Sequence, residues 1–116
     1  MAVRVAVPIP VRVRGCSSPV AAPLGSEKAD ALSDVYKALA DPTRVQMVHM
    51  LKAASAPVCV CDFTAAFELS QPTVSHHLSK LRSAGIISSI KKGIWTFHSL
   101  ADPLPETARA VIELIP

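Results

Sequence analysis

No stretch of about 18 consecutive apolar residues occurs in this sequence, so no segment can cross a bilayer as a helix. Charge is scarce, with 12 Lys and Arg against 9 Asp and Glu and a formal balance of +3. A local absence says more than that total. Between Leu69 and Ala101 there is no acidic residue, while Lys80, Arg82, Lys91 and Lys92 all fall there. A one-sign stretch inside a folded region suits a polyanion such as DNA; the alternative is an ordinary solvated basic face. The three cysteines cannot all pair within one chain. In a cytosolic protein, free cysteines are more often buried hydrophobes, metal ligands or redox centres than disulfides. The N-terminus is basic and apolar, but Pro8, Pro10, Arg12 and Arg14 break any hydrophobic region. A signal peptide is therefore not expected, and a cytoplasmic location is. No internal repeat is visible.

What is present is enough apolar residue for one domain. Half of the 116 residues are apolar, yet the core they can build is small, so burial against a second copy is expected. Residues 1–25 read as an arm, with Pro8, Pro10, Pro19 and Pro23 among Gly15, Ser17 and Ser18. Residues 26–116 read as the folded domain. A helix over Ser26 to Leu39 carries Leu32, Val35, Tyr36 and Leu39 on one stripe. Asp41 and Pro42 are a helix start, because an Asp side chain accepts from the first amides and Pro lacks the amide that would be unpaired. That helix runs to about Ala54. A short third helix is expected from Cys61 or Asp62 to Leu69. Ser70 then caps a fourth over Gln71 to Ala84, stopped by Gly85. Ile86–Ile90 and Ile94–Leu100 read as strands joined by a Lys91-Lys92-Gly93 turn. Leu104, Ala108, Val111, Ile112 and Ile115 share one face of a C-terminal helix. The class is α+β, mainly α: a winged helix-turn-helix of about five helices with a two-stranded hairpin wing, homodimeric.

The fourth helix divides by face. Val74, His77, Leu78 and Leu81 point to the core, and His76 and His77 project about 100° apart, which is unsuited to sharing one ion. The other face carries Thr73, Ser75, His76, Ser79 and Lys80. Such a face fits a major groove, with Gln71 at the helix start within reach of a base and Lys91 and Lys92 on the wing meeting phosphates. A polar outer face is also the default for any soluble helix. The order of helix, turn, helix and hairpin favours double-stranded DNA as the partner.

Four pieces together, Leu39-Ala-Asp-Pro-Thr-Arg44, Val58-Cys-Val-Cys-Asp62, Leu69-Ser-Gln-Pro-Thr-Val-Ser-His-His-Leu78 and Leu81-Arg-Ser-Ala-Gly-Ile86, resemble the ArsR/SmtB metalloregulators over about Val35 to Leu100. The resemblance implies a homodimeric repressor that holds operator DNA when free of inducer and releases it when inducer binds. The Cys-Val-Cys-Asp piece is similar to the thiolate motif of the arsenic and cadmium/lead branches. The residues themselves agree: Cys59 and Cys61 stand at or just before a helix N-terminus, where the dipole favours thiolate, and two close thiolates suit a soft ion. A three-sulfur site needs a third ligand, and Cys16 on the arm is the only cysteine left. The expected site is Cys16, Cys59 and Cys61, with Cys16 from either subunit, taking As(III) or Sb(III). Cd(II) or Pb(II) is the alternative, and a two-thiolate site for a methylated arsenical would omit Cys16. This pattern departs from relatives whose third cysteine follows the motif directly, because Phe63-Thr64 stands there. The family's second site needs Asp and His pairs on the C-terminal helix, and Pro103 to Ile115 hold no histidine, so that site is not expected. A thiol-redox repressor of the same fold is a second reading. An enzyme such as an arsenate reductase is not expected, since no phosphate-cradling loop or base accompanies a cysteine.

Overall fold

Local capping chemistry divides the chain into its elements. The structure is a computed structural model that describes residues 19–116. Cys16 and most of the expected arm lie outside the described residues, and residues 19–25 run exposed without regular structure. The order is α1 (Ser26–Leu39), α2 (Pro42–Ala53), β1 (Val58–Cys59), α3 (Val60–Phe67), α4 (Gln71–Ser83), β2 (Ile87–Lys92), β3 (Trp95–Leu100) and α5 (Glu106–Leu114). The Asp41 carboxylate accepts from the amides of Thr43 at 2.8 Å and Arg44 at 3.2 Å, which opens α2. The Ser70 hydroxyl accepts from Thr73 N at 3.4 Å and opens α4. Gly85 ends α4 with φ +76°, and a Cβ there would also sit 3.1 Å from Pro105. Glu68 takes a left-handed φ of 52° in the turn between α3 and α4.

Phe63, Met47, Leu78, Leu81 and Ile112 are buried at the meeting point of α2, α3, α4 and α5. The core face expected of α4 holds for Val74, Leu78 and Leu81. His77 is a correction. It is half-buried at the edge of the core, where Arg44 of α2 holds it through a hydrogen bond. α5 docks through its last turn: Lys52 Nζ donates to the carbonyls of Ile112 at 2.9 Å and Glu113 at 3.4 Å, and to that of Ile115. A cation there meets the negative end of the helix dipole.

The expected hairpin is present, and a strand the sequence reading did not anticipate joins it. The sheet order is β1-β3-β2, all antiparallel, with Val58 opposite His98 and Cys59 opposite Phe97. Because Val58 and Cys59 are committed to this pairing, α3 starts at Val60, ahead of the Cys61 or Asp62 start expected. The turn also differs. Lys91 and Lys92 lie within β2, opposite Thr96 and Trp95, and the tip is Gly93-Ile94. Gly93 has φ +63° while Ile94 is not in the positive region, as in a two-residue turn that takes glycine first.

The stripe on α1 is only partly covered. Val35 is buried, but Tyr36 remains 46% exposed and lines an apolar hollow with Leu24, Ala29 and Leu32. Leu114 on α5 is 82% exposed. Among the described residues no helix is long and apolar enough to cross a membrane.

Phe63 is fully buried and its ring stacks at 6.3 Å on Phe67 and tilts against His98. Phe63→Ala is expected to lower the unfolding free energy by about 3–5 kcal/mol, read as a fall in the urea midpoint at unchanged slope.

Candidate thiol site and nucleic-acid interface

The first thiol is part of the secondary structure. Cys59 is the N-cap of α3: its Sγ accepts from Cys61 N at 3.5 Å, and the Asp62 carboxylate returns to accept from Cys59 N at 3.1 Å. This is a reciprocal capping box with sulfur in the place usually held by a hydroxyl. Cys59 is buried, whereas Cys61, in the first turn, is exposed; neither is in a disulfide. The two thiols lie within hydrogen-bonding reach. That bond from Cys59, followed by desolvation and the nearby charges of Cys59 and Asp62, holds the Cys61 thiol above its ordinary value. The neighbouring Cys59 thus acts on Cys61 in the sense opposite to the helix dipole, which favours thiolate. A thiophilic ion bound to both sulfurs would take the place of their protons.

Among the described residues no group of three or more His, Cys, Asp or Glu side chains is placed to hold a metal ion. Cys59 and Cys61 are together. Cys16, the expected third ligand, lies outside the described residues.

The expected DNA-facing residues fall in four places. Thr73 and His76 are exposed on the outer face of α4, and Thr73 Oγ1 also accepts from Ser70 Oγ at 2.9 Å. Ser79 is half-buried beside them. Gln71 and Ser75 turn toward the wing, lining a cleft with Arg82, Thr96 and His98. Lys80 lies on the other flank, in a hollow with Lys37 and Arg44. Lys91 and Lys92 are exposed on β2.

Two groups that hold this surface in place escaped the sequence reading. Arg44 Nε donates to the carbonyl of Ala38 at 2.6 Å, and Arg44 Nη1 donates to His77 Nδ1 at 3.0 Å. Since a guanidinium can only donate, His77 Nδ1 is the acceptor in this contact. One side chain thus ties the end of α1 and the start of α2 to α4. At the wing, His98 is 3% exposed, with Nδ1 2.8 Å from Ser89 Oγ. Arg82 Nη1 donates to the same Ser89 hydroxyl at 3.4 Å, which joins α4 to β2.

This geometry defines a class: winged helix-turn-helix transcriptional regulators. The profile of the bacterial regulatory protein, arsR family, matches residues 41–89. The chain is 43% identical over 79 residues to an arsenic resistance transcriptional regulator of Pseudomonas putida, covering 68% of this chain and 61% of that protein's length. It is 37% identical over 79 residues to the arsenical resistance operon repressor of Escherichia coli, covering 68% and 67%. Its structure matches the homodimeric winged helix-turn-helix DNA-binding domain of a possible ArsR-family regulator from Mycobacterium bovis. That match has a TM-score of 0.63 at 26% identity and covers 82% of this chain and 86% of that one. The chain belongs to the ArsR family.

His98 supplies a pH test of the wing. Burial pushes its pKa below the ordinary 6.5, and the charge of Arg82 adds to the effect. As pH falls below 6.5, the unfolded chain takes up this proton first, so the ring's contribution is full above that pH and is lost as pH falls through the lower folded value. His98→Gln is expected to flatten the stability profile over that window, measured by urea unfolding across pH.

Proposed function

We propose that this protein is a homodimeric repressor that holds operator DNA while its cysteines are free. It releases the DNA when a trivalent metalloid, As(III) or Sb(III), binds their thiolates. The observation that carries the reading is the capping box of α3, which puts two thiols within reach of each other at the helix leading into α4. Cys16 from the arm of residues 1–25 completes a three-sulfur site, from the same subunit or its partner. The arsenic-related names of two relatives support As(III) over Cd(II) or Pb(II), which thiols also bind. The work is done in the cytoplasm and involves no catalysis.

On the output side, His76, Thr73 and Ser79 face base edges from α4. Gln71 and Ser75 reach the bases from its wing side, and Lys80, Lys91 and Lys92 meet phosphates. The uncovered stripe of α1 around Tyr36, with exposed Leu114 on α5, is the surface that the second subunit covers, which sets the spacing of the two α4 helices. Ion binding pulls Cys59 out of its capping role. Because Cys59 also pairs with β3, the change reaches α3 and the wing at once. By linkage, inducer and DNA weaken each other's binding by the same factor.

Serine substitution tests the input. Cys59→Ser keeps a capping hydroxyl, so loss of response there reflects loss of sulfur and not of the helix. Arsenite is expected to release operator from the parent protein and to fail with Cys59→Ser or Cys61→Ser, while Cys16→Ser shows a weakened response. Full response in either of the first two variants would sink the site. If oxidant releases DNA and arsenite does not, a thiol-redox repressor replaces the metalloid one. Release by Cd(II) or Pb(II) with none by arsenite moves the inducer to those ions.

The wing cations are tested through salt. Lys91→Ala and Lys92→Ala are each expected to weaken binding to operator and to random duplex alike. Each should reduce the salt slope of log affinity by about 1, the signature of a phosphate contact. An unchanged slope in both removes the wing from the interface.

A further inference from the structure

Beside Cys61 lies a groove of about 400 Å³ walled by Val60, Cys61 and Thr64 of α3, Gln71 of α4, and Ile94 and Trp95 of the wing. Its apolar wall is not accounted for by DNA contact. Lys91 and Lys92 already supply the wing's cations, yet Ile94 is 85% exposed and Trp95 50% exposed beside them. Large exposed apolar groups at the tip of a basic hairpin, lining one groove with an exposed thiol, mark a ligand surface.

We propose that this groove receives the organic substituent of a trivalent aryl arsenical bound to Cys59 and Cys61. The inference rests on the thiol reading above and deepens it by naming the class of arsenical. Trivalent arsenic makes three bonds, so an inorganic ion needs a third sulfur or keeps an oxygen, whereas R–As(OH)2 needs only two thiols. In that condensation two As–S bonds form and two As–O bonds break. The two hydroxyls leave as water with the two thiol protons, and arsenic stays trivalent with its carbon bond intact. Cys59 is buried and Cys61 is exposed, so the open side of the pair is the groove. A phenyl ring needs about 150 Å³, less than this open and partly polar groove offers, and its apolar contacts there are Val60, Ile94 and Trp95. The indole of Trp95 offers it a stacking face. Cys16 is not required for this ligand. The ring lies next to Gln71, between α4 and the wing tip, where it separates the two elements proposed to touch DNA.

The test uses the full-length reduced protein, titrated with phenylarsine oxide and with arsenite, each in competition with dithiothreitol. The dithiol reference removes the general preference of any thiol pair for one arsenical. Trp95→Ser and Ile94→Ser are exposed changes, and circular dichroism checks that both fold. Each is expected to weaken phenylarsine oxide binding about tenfold while leaving arsenite binding unchanged; tenfold corresponds to about 1.4 kcal/mol. Cys16→Ser is expected to weaken arsenite and spare phenylarsine oxide. If both arsenicals bind and neither wing substitution alters their ratio, the groove inference is overturned and the thiol site stands. If neither arsenical consumes the thiols of Cys59 and Cys61, the thiol site itself is wrong.

Discussion

Cys59 stands under three constraints at once. Its backbone pairs with Phe97 in β3, its side chain caps α3, and its thiol lies within reach of Cys61. The strand, the helix and the candidate ligand pair therefore share one residue. A Ser or Asp at this place would cap the helix at least as well. Sulfur is the weaker acceptor, and what it adds is affinity for a soft ion. Anything that draws this sulfur away from the Cys61 amide leaves an unpaired donor at the start of α3 and strains a two-residue strand. The strand is short enough to yield, since Val58 and Cys59 are its only members.

The chain from that residue to the surface proposed to face DNA is made of packed and hydrogen-bonded side chains. Phe63 in α3 lies under His98 of β3, and His98 is tied through Ser89 to Arg82 of α4. On the opposite flank, Arg44 holds His77 of α4 to the end of α1. The helix proposed to face DNA is thus braced on one side by the wing and on the other by α1 and α2, the first of which carries the partly uncovered apolar stripe. In the proposed switch, a shift of α3 would load one brace and leave the other in place, turning α4 relative to the surface proposed for the second subunit.

The legible parts of the fold are those decided within a few residues. Asp41-Pro42, Ser70 and Gly85 act on amides one turn away, and their elements begin or end as the sequence implies. The Cys-Val-Cys-Asp spacing brings two thiols together because Cys59 is an extended N-cap; inside a helix, residues two apart project to opposite sides. What escaped is what a distant partner decides. Two residues have no periodicity, so β1 exists only because β3 is there to pair with it. The turn was misplaced for the same reason: cross-strand pairing carries Lys91 and Lys92 into β2 and leaves Gly93-Ile94 at the tip. His77 sits at a core period, but Arg44, 33 residues earlier, supplies a partner that keeps it at the edge. The groove that unites Cys61 with Trp95 is tertiary, and no spacing in the sequence announces it.

The separation of charge from apolar surface on the wing follows from these placements. A hairpin that only had to meet phosphates would put cations at its tip, where their reach is longest. Here the cations are set back on β2, and the tip is Ile94, followed by Trp95. Strand pairing projects alternate residues to opposite faces, so Lys91 and Lys92 leave the sheet on opposite sides. The basic charge is therefore spread around the wing and not focused at its end. Phosphate attraction is long-ranged and tolerates that displacement over a Debye length of about 8 Å. Apolar contact has no such tolerance and works only at touching distance. The exposed apolar groups thus occupy the position nearest the thiols, and the charges occupy positions from which they can still act. One short hairpin thus has room for both roles proposed for it, contact with a polyanion and contact with a small thiol-bound ligand.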